Sequence, residues 1–185
     1  MARTPSNMLP LGTKAPFFNL FDTTTGTVKS LDSLQGKRGT VIAFVCNHCP
    51  FVIHVNDCLI EMAQEFKSKG IAFIAISSND VQNYPQDGPE QMKHQAEKLG
   101  YPFPYLYDKT QNVAKAYDAA CTPDFYLFDD TLSLVYRGQM DDSRPGNERP
   151  VNGSDLRHAM TCLLDNKDNQ NIQKPSIGCN IKWKS

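Results

Sequence analysis

Thr40-Val41-Ile42-Ala43-Phe44-Val45-Cys46-Asn47-His48-Cys49-Pro50 is the stretch on which the reading of this chain turns. Its first half is a continuous apolar run rich in β-branched residues, the pattern of a strand buried on both faces of a parallel or mixed sheet. Its second half is a Cys-x-x-C pair. Residues 50–69 then carry helical periodicity: Phe51, Val55, Cys58, Leu59, Met62 and Phe66 share one sector of about 100°. Glu61, Glu65, Lys67 and Lys69 lie mostly on the other side, and Gly70 is suited to close the helix. Ile71-Ala72-Phe73-Ile74-Ala75-Ile76 is a second buried strand, so the segment reads as a strand–helix–strand unit with parallel neighbours.

Upstream, residues 1–16 read as an irregular arm, with Pro5, Pro10 and Pro16 opposing regular structure, and Phe17 to Val28 as a hairpin turning near Gly26. Downstream, Ser77 to Pro89 reads as a polar loop and Pro89 to Leu99 as a helix. Phe103–Tyr107 suits a short strand and Asn112–Tyr117 a short helix. Phe125–Phe128 and Leu132–Arg137 form a strand–turn–strand hairpin. Asp141 to Asn152 reads as a solvated, charged Pro/Gly loop. Leu156, Ala159, Met160, Leu163 and Leu164 mark a final amphipathic helix, followed by a tail over 168–185. The order predicts an α/β sandwich with a mixed sheet, one domain over 1–185.

Nineteen basic residues against 20 acidic ones, a net charge of −1, exclude the basic balance of a nucleic-acid binder and offer no polybasic patch to a membrane surface. No run reaches the roughly 18 apolar residues of a spanning helix. The first 16 residues are too polar and Pro-broken for a signal peptide, so a cytoplasmic location is expected. Six cysteines in 185 residues are too few for a disulfide scaffold; in a reducing compartment they are thiols, metal ligands or a redox pair.

The placement of the pair has chemical content. Cys46 ends a buried strand and Cys49 enters the helix behind it, where unpaired N–H groups and the helix dipole stabilise a thiolate. A second cysteine one turn in is close enough to close a disulfide and cut a mixed disulfide. Cys46 is therefore expected to be the solvent-reachable nucleophile and Cys49 the resolving thiol. His48 beside Cys46 favours the thiolate as a cation or N–H donor, and stabilising the reduced form makes the disulfide more oxidising.

Residues 41–50 resemble the active-site segment of the thioredoxin superfamily. Cys121-Thr122-Pro123-Asp124-Phe125-Tyr126-Leu127-Phe128-Asp129 resembles that superfamily's Thr-Pro loop. The N-terminal hairpin and the insertion at 77–117 look more like the redoxin (AhpC/TSA, TlpA-like) branch. Residues 136–147 and 176–184 are similar to one group within it. The resemblance implies a thioredoxin-like fold with a central mixed sheet flanked by helices. It also implies a cis Thr122–Pro123 bond facing the cysteines, and thiol–disulfide exchange with protein or small-molecule disulfides and thiols. Thr122, with Asn47 and Cys121 nearby, would meet the substrate. No organic cofactor or metal is implied, and the electron donor is not identified. By analogy with histidine-containing motifs of this class, the potential should lie above the −270 mV or so of thioredoxin. The chain departs from the pattern at Thr40, Val45 and Val52, where superfamily members carry a buried acid, a tryptophan and a further acid.

Two rival chemistries use the same residues. Cys46, Cys49, His54 and Cys58 approach a zinc-knuckle spacing for a structural zinc domain, although Cys58 falls on the apolar stripe. A peroxiredoxin-like antioxidant peroxidase needs Pro-x-x-x-Thr-x-x-Cys; aligned on Cys49, that motif meets Ile42 and Cys46 where proline and threonine belong. Cys121 reads as an inert or regulatory thiol near the site, Cys58 as core, and His94 and His158 as surface residues. Cys162 and Cys179 show no partner in the sequence, and a bridge between them stays open.

Overall fold

β4 (Gly39–Phe44) is buried along its whole length. Its side chains alternate between two cores, as the period of two requires. Val41 and Ala43 face one apolar cluster and Ile42 and Phe44 the other. The computed structural model, which describes residues 3–184, surrounds this strand with the expected architecture.

α2 (Pro50–Lys67) follows β4 and buries Val52, Val55, Cys58, Leu59, Met62 and Phe66. β5 (Ile71–Ser77) returns parallel to β4. β8 (Asp124–Asp129) lies antiparallel on the other side of β4 and hairpins into β9 (Leu134–Gly138). α3 (Pro89–Leu99) and α5 (Ser154–Leu164) add Met92, Ala96, Leu156, Ala159 and Met160 to the α2 side. Opposite, α1 (Leu31–Leu34) and α4 (Asn112–Ala116) supply Leu31 and Ala114. There Phe44, Tyr117, Tyr126 and Phe128 pack at ring-centroid distances of 5.6–6.0 Å, mostly edge to face. Each such pair contributes about 0.5–1.5 kcal/mol beyond its buried area.

The N-terminal hairpin is β2 (Asn19–Asp22) with β3 (Thr27–Ser30). The insertion supplies β6 (Tyr105–Tyr107), parallel to β5 and antiparallel to β2. β6 thereby joins the hairpin to the rest, giving one seven-stranded mixed sheet in the order β3-β2-β6-β5-β4-β8-β9.

Both ends of the chain depart from the expectation of an irregular arm and tail. β1 (Arg3–Pro5) and β10 (Ile177–Asn180) pair antiparallel, and β10 pairs on its other side with β7 (Cys121–Thr122). These strands are only two to four residues long, too short to show a period in sequence. Pro5 is tolerated because β1 is an edge strand. The Asp141–Asn152 loop is also not simply solvated. Asp141 is 2% exposed and accepts from the N–H groups of Ser143, Asn152 and Gly153 at 2.7–2.8 Å, tying the loop to the start of α5. α2 ends at Lys67 with Ser68 as its C-cap, slightly before the expected Gly70. Among the described residues no helix is long and apolar enough to cross a membrane.

Gly178 marks the tightest contact of the small sheet. A Cβ built there would lie 1.9 Å from the carbonyl oxygen of Thr122, so β10 presses directly on the backbone before Pro123. Gly178→Ala should destabilise the protein by about 1–3 kcal/mol, the ordinary cost of overpacking, read as a lower urea midpoint. An unchanged midpoint would contradict so close an approach.

Candidate active site

The turn from β4 into α2 carries the cysteine pair. Cys49 is the N-cap of α2 and Pro50 occupies its first turn, where proline's missing N–H costs nothing because that donor has no helical partner. Facing the turn is the strand before Pro123, whose peptide bond with Thr122 is cis. Thr122 contacts both sulfurs. Its Oγ1 lies 3.4 Å from Cys46 Sγ, and its carbonyl accepts from Cys49 Sγ at 3.2 Å.

The two thiols act on each other's acidity in opposite directions. Cys49 is lowered to about 5, by Cys46 first, with Cys179 and Thr122 outweighing the effect of burial. Cys46 moves well upward, through Cys49 first, then burial and the nearby Asp87 charge. Cys46 is 2% exposed and Cys49 fully buried. The expectation of a solvent-reachable Cys46 thiolate is therefore corrected in the resting reduced protein. The neighbours of Cys46 are polar, however: Thr122, Cys49, and the donor atoms of His48 and Asp87, all within 4.8 Å of one another in the case of Cys46, His48 and Asp87.

Asp87 is the residue that sequence reasoning missed. It lies in the stretch read as a polar loop, at the end of a single 3-10 turn over Pro85–Asp87, and it is fully buried. Its carboxyl accepts from the Asn47 N–H at 2.8 Å and the Asn79 amide at 2.8 Å, and pairs with His48 Nδ1 at 2.7 Å. A buried carboxyl needs such donors to offset its lost hydration. Asn47 is held further by its amide donating to the Gln86 carbonyl at 2.8 Å and by the Tyr105 hydroxyl at 3.1 Å. The His48 ring stacks on Tyr84 with centroids 5.5 Å apart. No local motif announces Asp87; Asn47 and His48 lie some 40 residues away in sequence and Asn79 eight.

The other expected site residues divide. Pro123 lines a groove with Phe51, His54, Met140, Arg144 and Ile177, which brings Arg144 of the loop read as solvated to the neighbourhood of the site. Cys121 is fully buried and points its thiol to the Pro123 carbonyl at 3.7 Å; burial pushes it far up. The zinc set is not assembled. Cys58 packs in the core, and His54 bonds Ser143 at 2.7 Å. Among the described residues the one group that brings three metal-capable donors together is Cys46, His48 and Asp87. Cys179 is not beside Cys162. β10 carries it to Thr122, into the buried cluster that holds Cys46 and Cys49, whereas Cys162 on α5 lies 3.5 Å from His158.

Asp124, next to Pro123, is also fully buried, and burial lifts it to about 8 despite the Tyr126 hydroxyl donated to Oδ2 at 3.0 Å. It follows Phe44, Tyr126 and Phe128 in facing away from α2 by strand alternation.

A thioredoxin-like sheet with two thiols at the strand-to-helix turn, opposite a cis proline, defines a redox protein of the thioredoxin superfamily's redoxin branch. The chain belongs to the AhpC/TSA family, whose model matches residues 11–137. No curated protein matches its sequence. Its structure is similar to that of an uncharacterized conserved protein from Geobacillus kaustophilus, 56% identical, covering 100% of this chain and 97% of that one, with a TM-score of 0.98. A hypothetical protein from Sinorhizobium meliloti 1021 is 46% identical over 98% of this chain and 99% of that one, TM-score 0.96. A thiol:disulfide interchange protein from Bacteroides sp. shares the fold at 19% identity over 85% of this chain and 91% of that one, TM-score 0.66.

Two titrations check the electrostatics. Iodoacetamide labelling of the reduced pair should rise with a midpoint near 5, because the first proton leaves the pair there and the thiolate is present above it. In Cys46→Ala that midpoint should move up towards the ordinary thiol range; an unchanged midpoint would remove Cys46 as its cause. For Asp124, the raised pKa means the folded chain holds a proton that the unfolded chain has lost between about pH 4 and 8. Its contribution to stability is thus complete at low pH and lost as pH rises through about 8. Relative to the parent, Asp124→Asn should remove a downward slope of about 1 kcal/mol per pH unit across that window, measured by urea unfolding.

Proposed function

We propose that this chain is a thiol–disulfide oxidoreductase that cycles Cys46 and Cys49 between dithiol and disulfide through a mixed disulfide. The observation that carries the reading is the pair of cysteines at the N-terminus of α2, both in contact with Thr122 beside a cis proline. Cys46 is the attacking sulfur. Cys49 lies beneath the Thr122 carbonyl, whereas Cys46 borders His48, whose side chain is 19% exposed.

In the reducing direction, the Cys46 proton passes to Cys49 as the Cys46 sulfur attacks one sulfur of a substrate disulfide. The Cys46–substrate bond forms, and the other substrate sulfur leaves as a thiolate. Cys49 then gives up its proton and attacks Cys46 Sγ, closing the Cys46–Cys49 disulfide and releasing the second substrate thiol. Two electrons have passed from the pair to the substrate. The oxidising direction is the reverse. Asp87 holds the His48 ring and the Asn47 backbone around Cys46. Because Cys46 is nearly covered, a disulfide reaches it only when the groups around it, His48 among them, give way. Protein or small-molecule disulfides and thiols are the substrates this chemistry takes.

Reduction of insulin driven by dithiothreitol, followed by turbidity, tests the assignment. Cys46→Ser should lower the rate to the uncatalysed background, and equal rates for variant and parent would refute Cys46 as nucleophile. Fast oxidation of Cys49 by hydrogen peroxide in that same variant, followed by stopped flow, would instead support the peroxidase chemistry of a redoxin.

A further inference from the structure

We propose that Cys179 is a third redox thiol, which takes over Cys49 by internal disulfide exchange after the Cys46–Cys49 disulfide has formed. The proposal rests on the exchange chemistry just described and deepens it.

The geometry comes from the tail. β10 sits between β1 and β7 with Cys179 directly across from Thr122, the residue that contacts both active-site sulfurs. Gly178 leaves no room between β10 and the Thr122 carbonyl, so the register that sets Cys179 against the pair is held tightly. The Cys179 thiol is 2% exposed and packs in the same buried cluster as Cys46 and Cys49, where it and Cys49 act on each other's acidity. Cys49 therefore has two sulfur neighbours, Cys46 from its own turn and Cys179 from the far end of the chain. Cys121, close by in sequence to Thr122, spends its thiol on the Pro123 carbonyl instead.

The oxidation state of the pair controls the third thiol. In the reduced protein Cys179 is pushed up to about 12, by burial first and then by Cys49 and the charge on it. Once Cys49 is in a disulfide it carries no charge and no longer competes for the proton, so Cys179 ionises more readily. The exchange is balanced within the chain. The Cys179 sulfur attacks Cys49 Sγ, the Cys49–Cys179 bond forms, and the Cys46–Cys49 bond breaks. Cys46 leaves as a thiolate and takes up the proton lost by Cys179. Cys179 is oxidised and Cys46 reduced, with no outside reagent. The oxidising equivalent then lies buried beside β7, and Cys46 is again free to meet a second disulfide.

The test maps disulfides in the full-length protein. Parent and Cys46→Ser are treated with one equivalent of 5,5′-dithiobis(2-nitrobenzoic acid), quenched with N-ethylmaleimide in acid, digested without reduction and analysed by mass spectrometry. The expected result is a cross-linked peptide joining Cys49 and Cys179 in both, with Cys46 of the parent carrying maleimide in those molecules. Its absence from a parent protein that has formed the Cys46–Cys49 disulfide would overturn the relay, even if the Cys49–Cys179 peptide appears in Cys46→Ser, where it can arise only by direct oxidation. Failure of the parent to form the Cys46–Cys49 disulfide is a separate outcome that counts against the exchange chemistry of the pair itself.

Discussion

Everything at the site is referred to one residue, Thr122. Its hydroxyl and carbonyl meet the two sulfurs, and its strand is gripped by β10 on one side while β8 continues it into the central sheet. The sulfurs are close because β4 delivers them to the head of α2, but their electrostatics depend on what stands opposite. Oriented dipoles and donors in a site of low dielectric act more strongly on charge than the same groups in water. That is how two identical side chains come to be shifted in opposite directions.

A buried pair of thiols needs polar company that does not disturb the packing of two apolar cores. Asp87 supplies it on one side. Three donors converge on its carboxyl, and one of them, Asn79, is itself fixed by the backbone of Lys182 in the tail at 2.8 Å. The tail therefore supports the site twice, through β10 against Thr122 and through Lys182 against Asn79. Gln111 adds to this by donating its amide to the carbonyls of Ser78 and Lys182 at 2.7 and 2.8 Å. The C-terminal segment is accordingly part of the active-site framework, and changes in it should be felt at the cysteines.

Much of the architecture was legible in residues 17–164 because the governing signals are local. The apolar runs of β4 and β5, the stripe on α2 and the turn residues of the hairpins each report on burial of neighbouring side chains, and the structure follows them closely. The Cys46/Cys49 turn and the Thr122–Pro123 strand were both visible as motifs, and the family match over residues 11–137 agrees with that reading. The charged loop after β9 was misread because Asp141 owes its burial to backbone N–H groups up to 12 residues away, which composition does not encode.

By itself, then, the amino-acid order determined which segments become strands and helices and that a dithiol stands at a strand-to-helix turn, since those depend on side-chain periodicity over a few residues. Only the tertiary structure decided that Asp87 reaches His48 and that Cys179 lies in the cluster of Cys49, across from Thr122, rather than beside Cys162. Each of these is a contact or a field between groups distant along the chain, made by strands too short and loops too polar to leave a pattern. The reason is physical: periodicity records which face of an element is dry, whereas proximity across the fold is created only when the sheet closes around its core.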